Sequence, residues 1–255
     1  MFKYKLSIGA IFKNESHSIR EWIRHYIHHG VEHFYLINDN STDNFMDQIK
    51  EYIDLNLITL FNVDEPYYLG RQRKLYNKHI LPIVKETQWL LMIDLDEYVW
   101  SQLDINLVNV LKSCEHLAQL QICETLFGSN GHIIQPEFIV KSFTKRKINN
   151  KTGILKYLIN NSYDFESLNI HHAEFVNKEL GQNKSKFMLL IDSDYFRMNH
   201  YRCQSQEFWN NVKCKRGDSD NYLVRTSEDF AQSDVNEVEE LELYNQNKIL
   251  YETLN

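Results

Sequence analysis

Three acidic residues, Asp94, Asp96 and Glu97, follow directly on an apolar run from Trp89 to Ile93. Such a run, bounded by polar sequence, is typical of a strand buried on both faces. Because side chains alternate along a strand, Asp94 and Asp96 are predicted to project from one face, with Leu95 and Glu97 on the other. Two carboxylates at that spacing repel unless a cation lies between them, and oxygen ligands favour Mg²⁺ or Mn²⁺. An acidic turn in solvent is the alternative.

Alternating strands and helices must position these acids. Strands are predicted over residues 6–12, 31–38, 58–63, 89–93, 117–122 and 138–143, and helices over residues 18–30, 45–53 and 70–85. Ser18 and Glu21 would form a capping box, and Pro82 should kink or end the third helix. This order predicts an α/β fold with a doubly wound, mainly parallel central sheet and helices on both faces.

Such sheets bind ligands at the carboxyl ends of their strands. Two further polar clusters fall there, Lys13-Asn14-Glu15 and Asp39-Asn40-Ser41. Asp39 and its neighbours could accept hydrogen bonds from the base imide and ribose hydroxyls of a nucleotide, while a cation on the aspartates would neutralise its diphosphate. Arg71 and Arg73 could contact phosphate or base, or could lie in solvent.

Composition excludes several classes of protein. The chain of 255 residues is 43% hydrophobic, which fits one domain. It would consist of a nucleotide-binding half over 1–100, a less regular second half over 101–225 and an acidic helical segment over 226–255. A net charge of −7 argues against nucleic-acid binding. Only eight glycines, without a dinucleotide-binding or P-loop motif, argue against dehydrogenases and P-loop enzymes.

The cysteines and the apolar runs bear on location. The four cysteines lack metal-finger spacing and are predicted to be free thiols in a reducing compartment. No stretch is long and apolar enough for a transmembrane segment, and the start does not read as a signal peptide. A cytoplasmic protein is predicted, with a peripheral position on a membrane left open.

Several motifs, taken in order, resemble one enzyme family. They are Ala10 to Glu15, Glu21 to Gly30, Ile37 to Asp43, Ile93 to Tyr98, Leu126 to His132, Asn199-His200-Tyr201 and Lys215 to Asp218. Together they are similar to family-2-like glycosyltransferases of GT-A fold, in the subgroup related to family 92. The resemblance implies a nucleotide-sugar donor, most simply a UDP-sugar, a divalent metal on the D-x-D motif, and transfer to an acceptor hydroxyl with inversion. The acceptor would be a glycan or a lipid-linked or protein-linked group.

The resemblance also assigns residues to roles. Metal ligands would be Asp94, Asp96 and His200, and the donor would contact Lys13, Asn14, Glu15, Asp39, Asn40, Arg71, Asp94, Lys215 and Arg216. One departure stands out, because the family usually carries a Trp shortly before the Phe-Gly pair, whereas this chain has Cys123-Glu124-Thr125. A different acceptor or sugar is the expected consequence.

The general base is expected on an element after the metal motif, between residues 156 and 181. Glu174 ranks first, since partial burial beside Phe175 would raise its pKa, and Asp164 ranks second. Glu166 and Glu179 are the other two carboxylates in this range. If none of the four serves, the proton would leave through His171 or His172 or to solvent. A nucleotidyltransferase of similar fold and a non-catalytic carbohydrate-binding protein remain the alternative functions.

Overall fold

In the computed structural model, the described residues are 1–148, 153, 155–182, 188–191, 195–216 and 225–252. The strands are β1 Tyr4–Phe12, β2 His33–Asp39, β3 Ile58–Val63, β4 Thr87–Met92, β5 Glu97–Trp100, β6 Gln119–Leu126, β7 Lys145–Arg146, β8 Leu155–Asn160, β9 Phe165–Leu168, β10 Ala173–Phe175, β11 Met188–Ile191, β12 Arg197–His200 and β13 Val238–Glu239.

The α-helices are α1 Ile19–His28, α2 Phe45–Asp54, α3 Arg71–Leu75, α4 Leu107–Leu111, α5 Ile139–Ser142, α6 Lys178–Gln182, α7 Gln206–Phe208, α8 Cys214–Arg216, α9 Ser227–Ser233 and α10 Glu242–Glu252. Wider, π-helical turns at Tyr76–Ile80 and Trp209–Lys213 continue α3 and α7, and tighter 3₁₀ turns occupy Leu81–Glu86 and Lys112–Cys114.

Nine described strands form one mixed sheet in the order β3-β2-β1-β4-β8-β6-β12-β5, with β11 beside the first half of β6. The pairings among β3, β2, β1 and β4 are parallel, as are those of β6 with β11 and β12. Strand β8 runs antiparallel between β4 and β6, and β5 runs antiparallel to β12. The predicted α/β fold with a mainly parallel sheet is confirmed, and the strands that run against the others are β5 and β8.

Successive side chains of a strand point to opposite faces, so the apolar runs of the buried strands make both faces of the sheet apolar. Helices cover both faces. One cluster lies under α1, α2 and α10 and includes Ile8, Trp22, Ile49, Leu91 and Leu243. The other lies under α3 and the β9–β10 hairpin and includes Ile11, Leu75, Leu90, Leu168 and Phe175. We call these the α1 face and the α3 face of the sheet.

Two local predictions are wrong. Ser18 makes no side-chain capping bond, and the buried Glu21 instead accepts the backbone N–H of Ile139 and Val140 at 2.5 and 3.1 Å. The segment from Phe138 to Phe143, predicted as a strand, contains helix α5. Long-range contacts decide both cases, since the Glu21 carboxylate binds the first N–H groups of that short helix.

The acidic C-terminal segment is folded onto the domain. Helix α10 packs on α1, where His29 Nε2 lies 2.9 Å from Asn247 Oδ1 and the Tyr251 hydroxyl donates to Glu21 at 2.9 Å. The four cysteines are free thiols, as predicted. Across the described part of the chain, no helix combines the length and apolarity needed to cross a bilayer.

Candidate active site

A cavity of about 380 Å³ opens at the carboxyl ends of β1, β2 and β4. Its lining is strongly charged and takes residues from both halves of the chain. The carboxylates are Glu15, Asp39, Asp94, Asp96 and Glu97, and the cations are Lys13, Lys156, Arg202, Lys213, Arg216 and Arg225. The predicted convergence of polar clusters at this edge of the sheet is therefore present.

The two aspartates do not lie on a strand. Strand β4 ends at Met92, and the chain then turns so that Glu97 N donates to Asp94 O at 3.2 Å while Asp94 N donates to Glu97 Oε2 at 2.9 Å. Alternation along a strand consequently does not apply at Asp94 and Asp96. The two carboxylates have separate partners in the structure.

Asp94 is held from the α3 face and from strand β8. Its Oδ2 atom lies 2.7 Å from Lys156 Nζ, and its Oδ1 atom accepts a hydrogen bond of 3.3 Å from Gln72. Lys156 is buried, which opposes its charge, but Asp94 and Glu97 raise its pKa. The buried ammonium group of Lys156, on the central strand β8, therefore neutralises the negative charge of the Asp94 carboxylate.

Asp96 is held from the α1 face. Its Oδ2 atom lies 2.5 Å from Lys213 Nζ, and its Oδ1 atom lies 3.5 Å from His200 Nε2. Burial disfavours ionisation, yet these two cations hold the pKa of Asp96 well below its usual range. Asp96 is thus an ionised carboxylate that is only 5% exposed and lies at the cavity wall.

His200 connects Asp96 to a carboxylate that sequence reasoning missed. Its Nδ1 atom lies 2.5 Å from Oε2 of Glu124, which is 2% exposed on the neighbouring strand β6. Burial lowers the pKa of His200, but Asp96 and Glu124 outweigh it and raise the pKa to about 10. Glu124 lies in the Cys123-Glu124-Thr125 segment, where the resembled family usually carries a Trp. That departure was the only sequence signal that could have drawn attention to Glu124.

The donor set fits a divalent ion on Asp96 and His200, provided that the imidazole of His200 gives up its proton on binding, because a ring nitrogen ligates a metal only when it is deprotonated. Adjacent ligands of an octahedral ion are about 3 Å apart, so a gap of 3.5 Å between Asp96 Oδ1 and His200 Nε2 needs little adjustment. Glu97, Glu124 and His200 also cluster, but 2.5 Å between Glu124 and His200 is a hydrogen bond rather than the spacing of two ligands. A carboxylate that orients a histidine in this way is typical of metal-binding histidines.

The predicted donor residues divide into two groups. Lys13, Glu15, Asp39, Asp94 and Arg216 line the cavity. Arg71 lies behind it, buried, with its Nε atom 2.7 Å from Asp39 Oδ1.

The asparagines and Lys215 do not line the cavity. Asn14 joins two loops, accepting from Thr42 N at 2.8 Å and donating its own N–H to Ser41 Oγ at 3.0 Å. Asn14 and Asn40 both adopt positive φ, 56° and 55°, which asparagine tolerates better than most residues. Lys215 donates to Asn211 at 3.2 Å.

Neither carboxylate predicted as base lies at the cavity. Asp164 pairs with Lys85 at 2.7 Å and its side chain is 75% exposed, while Glu174 lies 3.6 Å from Arg73. The structure does not bring them to the aspartates, and their catalytic role stays a prediction. His171 does line the cavity.

Fold and cavity together define an α/β domain with a charged cavity at the carboxyl edge of its sheet. Residues 4–240 match the sequence profile of glycosyltransferase family 92, and the chain belongs to that family. The resemblance seen in the sequence motifs is confirmed at the level of the family.

The chain is similar to a glycosyltransferase family 92 protein of Ricinus communis, with 22% identity over 147 residues. The match covers 50% of this chain and 24% of that protein, so the chain spans about a quarter of the length of this relative.

Two solved structures illustrate similarity of fold. One is TarS of S. aureus in complex with UDP-GlcNAc, at 16% identity and a TM-score of 0.46, covering 98% of this chain and 72% of that one. The other is the mannosyltransferase PcManGT of Pyrobaculum calidifontis in complex with GDP-Man and Mn²⁺, at 10% identity and a TM-score of 0.44, covering 78% and 57%.

Proposed function

We propose that this protein transfers a sugar from a nucleotide-sugar donor, a UDP-sugar in the first instance, to an acceptor hydroxyl with the help of Mn²⁺ or Mg²⁺. The observation that carries the proposal is the pairing of Asp96 Oδ1 with His200 Nε2 at the wall of a cavity that also holds Asp39 and Asp94. The acceptor is a hydroxyl of a glycan or of a lipid-linked or protein-linked group.

Each part of the cavity has a role in this proposal. Asp39 and Lys13 receive the nucleoside, and Lys213 and Arg216 face its diphosphate. A divalent ion, when bound, supplies positive charge to the diphosphate as the bond from the anomeric carbon to phosphate breaks. Asp96 and His200 hold that ion. Lys213 pairs with the other oxygen of Asp96, Oδ2, at 2.5 Å, so Oδ1 is the atom that would hold the ion.

The acceptor attacks the anomeric carbon from the side opposite the diphosphate, which gives inversion. An incoming hydroxyl is a poor nucleophile until a base takes its proton. The expected products are the glycoside and a nucleoside diphosphate, with no pyrophosphate.

A thermal-shift titration tests the proposal, because a ligand that binds only the folded state raises its stability. UDP should raise Tm in the presence of Mn²⁺ and have little effect without it. Equal shifts with and without the metal would contradict the role of Asp96 and His200.

The products separate the alternative functions. Incubation with UDP-sugars and Mn²⁺ should release UDP. Release of pyrophosphate from a nucleoside triphosphate and a sugar phosphate would instead indicate a nucleotidyltransferase. Binding of glycans without any nucleotide dependence would indicate a carbohydrate-binding protein.

A further inference from the structure

We infer that His171 is the general base that takes the proton from the acceptor hydroxyl. The inference rests on the proposed function and names the group that its last step requires. His171 lines the cavity from the turn between β9 and β10. The assignment depends on its hydrogen bonds, on the partners of the other proton acceptors and on the element from which it approaches.

The hydrogen bonds of His171 fix which ring nitrogen is free. Its Nδ1 atom lies 2.8 Å from the carbonyl oxygen of Leu155. A carbonyl can only accept, so Nδ1 carries the hydrogen, and in the neutral ring Nε2 holds a lone pair. A base needs a lone pair of this kind, held in one tautomer.

The turn that carries His171 is anchored at several points, although the imidazole itself is exposed. Gln121 donates a side-chain N–H to the His171 carbonyl at 3.1 Å, and the Tyr157 hydroxyl donates to the Asn169 carbonyl at 2.6 Å. Asn169 N donates to the His172 carbonyl at 2.8 Å, which closes the turn. Strands β6 and β8 therefore fix the position of the ring relative to the cavity floor.

The described carboxylates that line the cavity are all engaged by cations. Their partners are Arg216 for Glu15, Arg71 for Asp39, Lys156 for Asp94, Lys213 for Asp96, and Lys156 with His200 for Glu97. A carboxylate that is paired with a cation is a weak proton acceptor. Burial raises the pKa of Glu97 to about 7, but its side chain is only 1% exposed and its Oε2 atom accepts from Asp94 N at 2.9 Å, so an acceptor hydroxyl does not reach it. His200 is equally committed, between Glu124 and Asp96. Among the described histidines and carboxylates of the lining, His171 is the one whose free ring nitrogen, Nε2, keeps a lone pair that no cation engages.

His171 and the cations that would hold the diphosphate reach the cavity from different elements. Arg216 binds Glu15 and the Lys13 carbonyl, after the end of β1 and before α1. The hairpin of His171 packs in the cluster of the α3 face through Leu168 and Phe175. Inversion requires the base and the leaving group to lie on opposite sides of the anomeric carbon, and the separate origins of His171 and Arg216 are compatible with this requirement.

The step balances as an ordinary nucleophilic substitution. The acceptor oxygen forms a bond to the anomeric carbon while its proton passes to His171 Nε2. The bond from that carbon to the phosphate oxygen breaks, and the nucleoside diphosphate leaves with the electron pair. The imidazolium then releases its proton to solvent.

The test compares His171→Gln and His171→Ala with His172→Gln as the control. His172 is the next residue in the same turn, and it is not part of the cavity lining. The probe is the UDP-sugar from which the wild-type protein releases most UDP with Mn²⁺, with water as acceptor. We expect UDP release to fall about 10²- to 10⁴-fold in both His171 variants. The Mn²⁺-dependent thermal shift by UDP should persist, and added imidazole should restore part of the activity of His171→Ala.

Three results would overturn the inference. UDP release within about tenfold of wild type in His171→Gln would exclude a base at this position. An equal loss in His172→Gln, or loss of the UDP thermal shift in the His171 variants, would show that the turn is needed only for structure. If the wild-type protein itself neither binds UDP nor releases it, the proposed function fails, which is a separate outcome from failure of the base assignment.

Discussion

The Nδ1 atom of His200 lies 2.5 Å from the Oε2 atom of Glu124, which stands on the neighbouring parallel strand β6. This contact turns the other ring nitrogen of His200 toward Asp96. A carboxylate that accepts from one histidine nitrogen fixes the ring and makes the other nitrogen a better metal ligand. Glu124 is thus a positioning residue for the proposed ion.

Replacing Glu124 by Gln should weaken metal binding while leaving the fold intact. The amide keeps the shape but lacks the negative charge, so we expect the Mn²⁺ dissociation constant to rise about 10- to 100-fold. Titration of Mn²⁺ followed by electron paramagnetic resonance measures this directly. Glu115→Gln, at an exposed position, is the matched control. An unchanged Mn²⁺ affinity in Glu124→Gln would show that His200 does not ligate the ion.

Replacing Asp96 by Asn should abolish metal-dependent binding of UDP. The substitution removes the charge that holds the cation, and the rate of UDP release should fall by orders of magnitude. Asp54→Asn controls for the change of net charge, since Asp54 forms an exposed pair with Lys50 on α2. Activity close to wild type at limiting Mn²⁺ would mean that the ion binds elsewhere.

Replacing Asp39 by Asn should destabilise the protein as well as weaken donor binding. The Asp39 and Arg71 side chains are 7% and 1% exposed, so the change leaves a buried guanidinium without its counter-charge. Breaking a buried pair of this kind costs about 3–5 kcal/mol. Urea denaturation measures it, with Asp54→Asn, expected to change stability by less than about 1 kcal/mol, as the exposed counterpart. Equal effects of the two substitutions would contradict the structural role of the Asp39–Arg71 pair.

The buried Glu21 should make stability depend on pH. Burial raises its pKa from 4.5 to about 7, against the opposing hydrogen bonds from Ile139, Val140 and Tyr251. Its folded pKa lies above the unfolded one, so its contribution to stability is full below about pH 4.5 and is lost as the pH rises through 7. Relative to Glu21→Gln, which does not titrate, the wild type should lose about 3 kcal/mol between pH 4.5 and 8.

Chemical denaturation of wild type and Glu21→Gln at a series of pH values measures that difference. Other titrating groups are common to both proteins and cancel in the comparison. Glu51→Gln, at an exposed site on α2, should track the wild type across the whole range. Parallel stability curves for wild type and Glu21→Gln would show that the Glu21 carboxylate ionises without cost in the folded protein.

The first half of the fold was readable from the sequence because its elements obey local rules. Strand β3 matches its predicted bounds. Strands β1 and β2 match within about two residues, since continuous apolar runs bury these two strands on both faces. The antiparallel strand β8 and the short helix α5 were not readable, because their positions depend on partners far along the chain. Alternation also failed at Asp94 and Asp96, where the strand has already ended.

The site was predictable where it depends on strand ends and unpredictable where it depends on tertiary pairing. Asp39, Asp94, Asp96 and His200 were found from the sequence, and all four line the cavity. Glu124, Lys156 and Lys213 were missed, because each contributes charge through a partner that local sequence does not reveal. The Arg73 and Lys85 pairs that hold Glu174 and Asp164 away from the cavity have the same origin.

The ion pair between Arg216 and Glu15 joins residues 201 positions apart. Closing so long a loop carries a large entropic cost, so contacts of this separation form after local ones have restricted the chain. The nucleotide half should therefore acquire its sheet before the cavity exists. During synthesis on the ribosome, we expect the protein to become able to bind UDP only after the segment around Arg216 has emerged, which release of nascent chains of graded length would reveal.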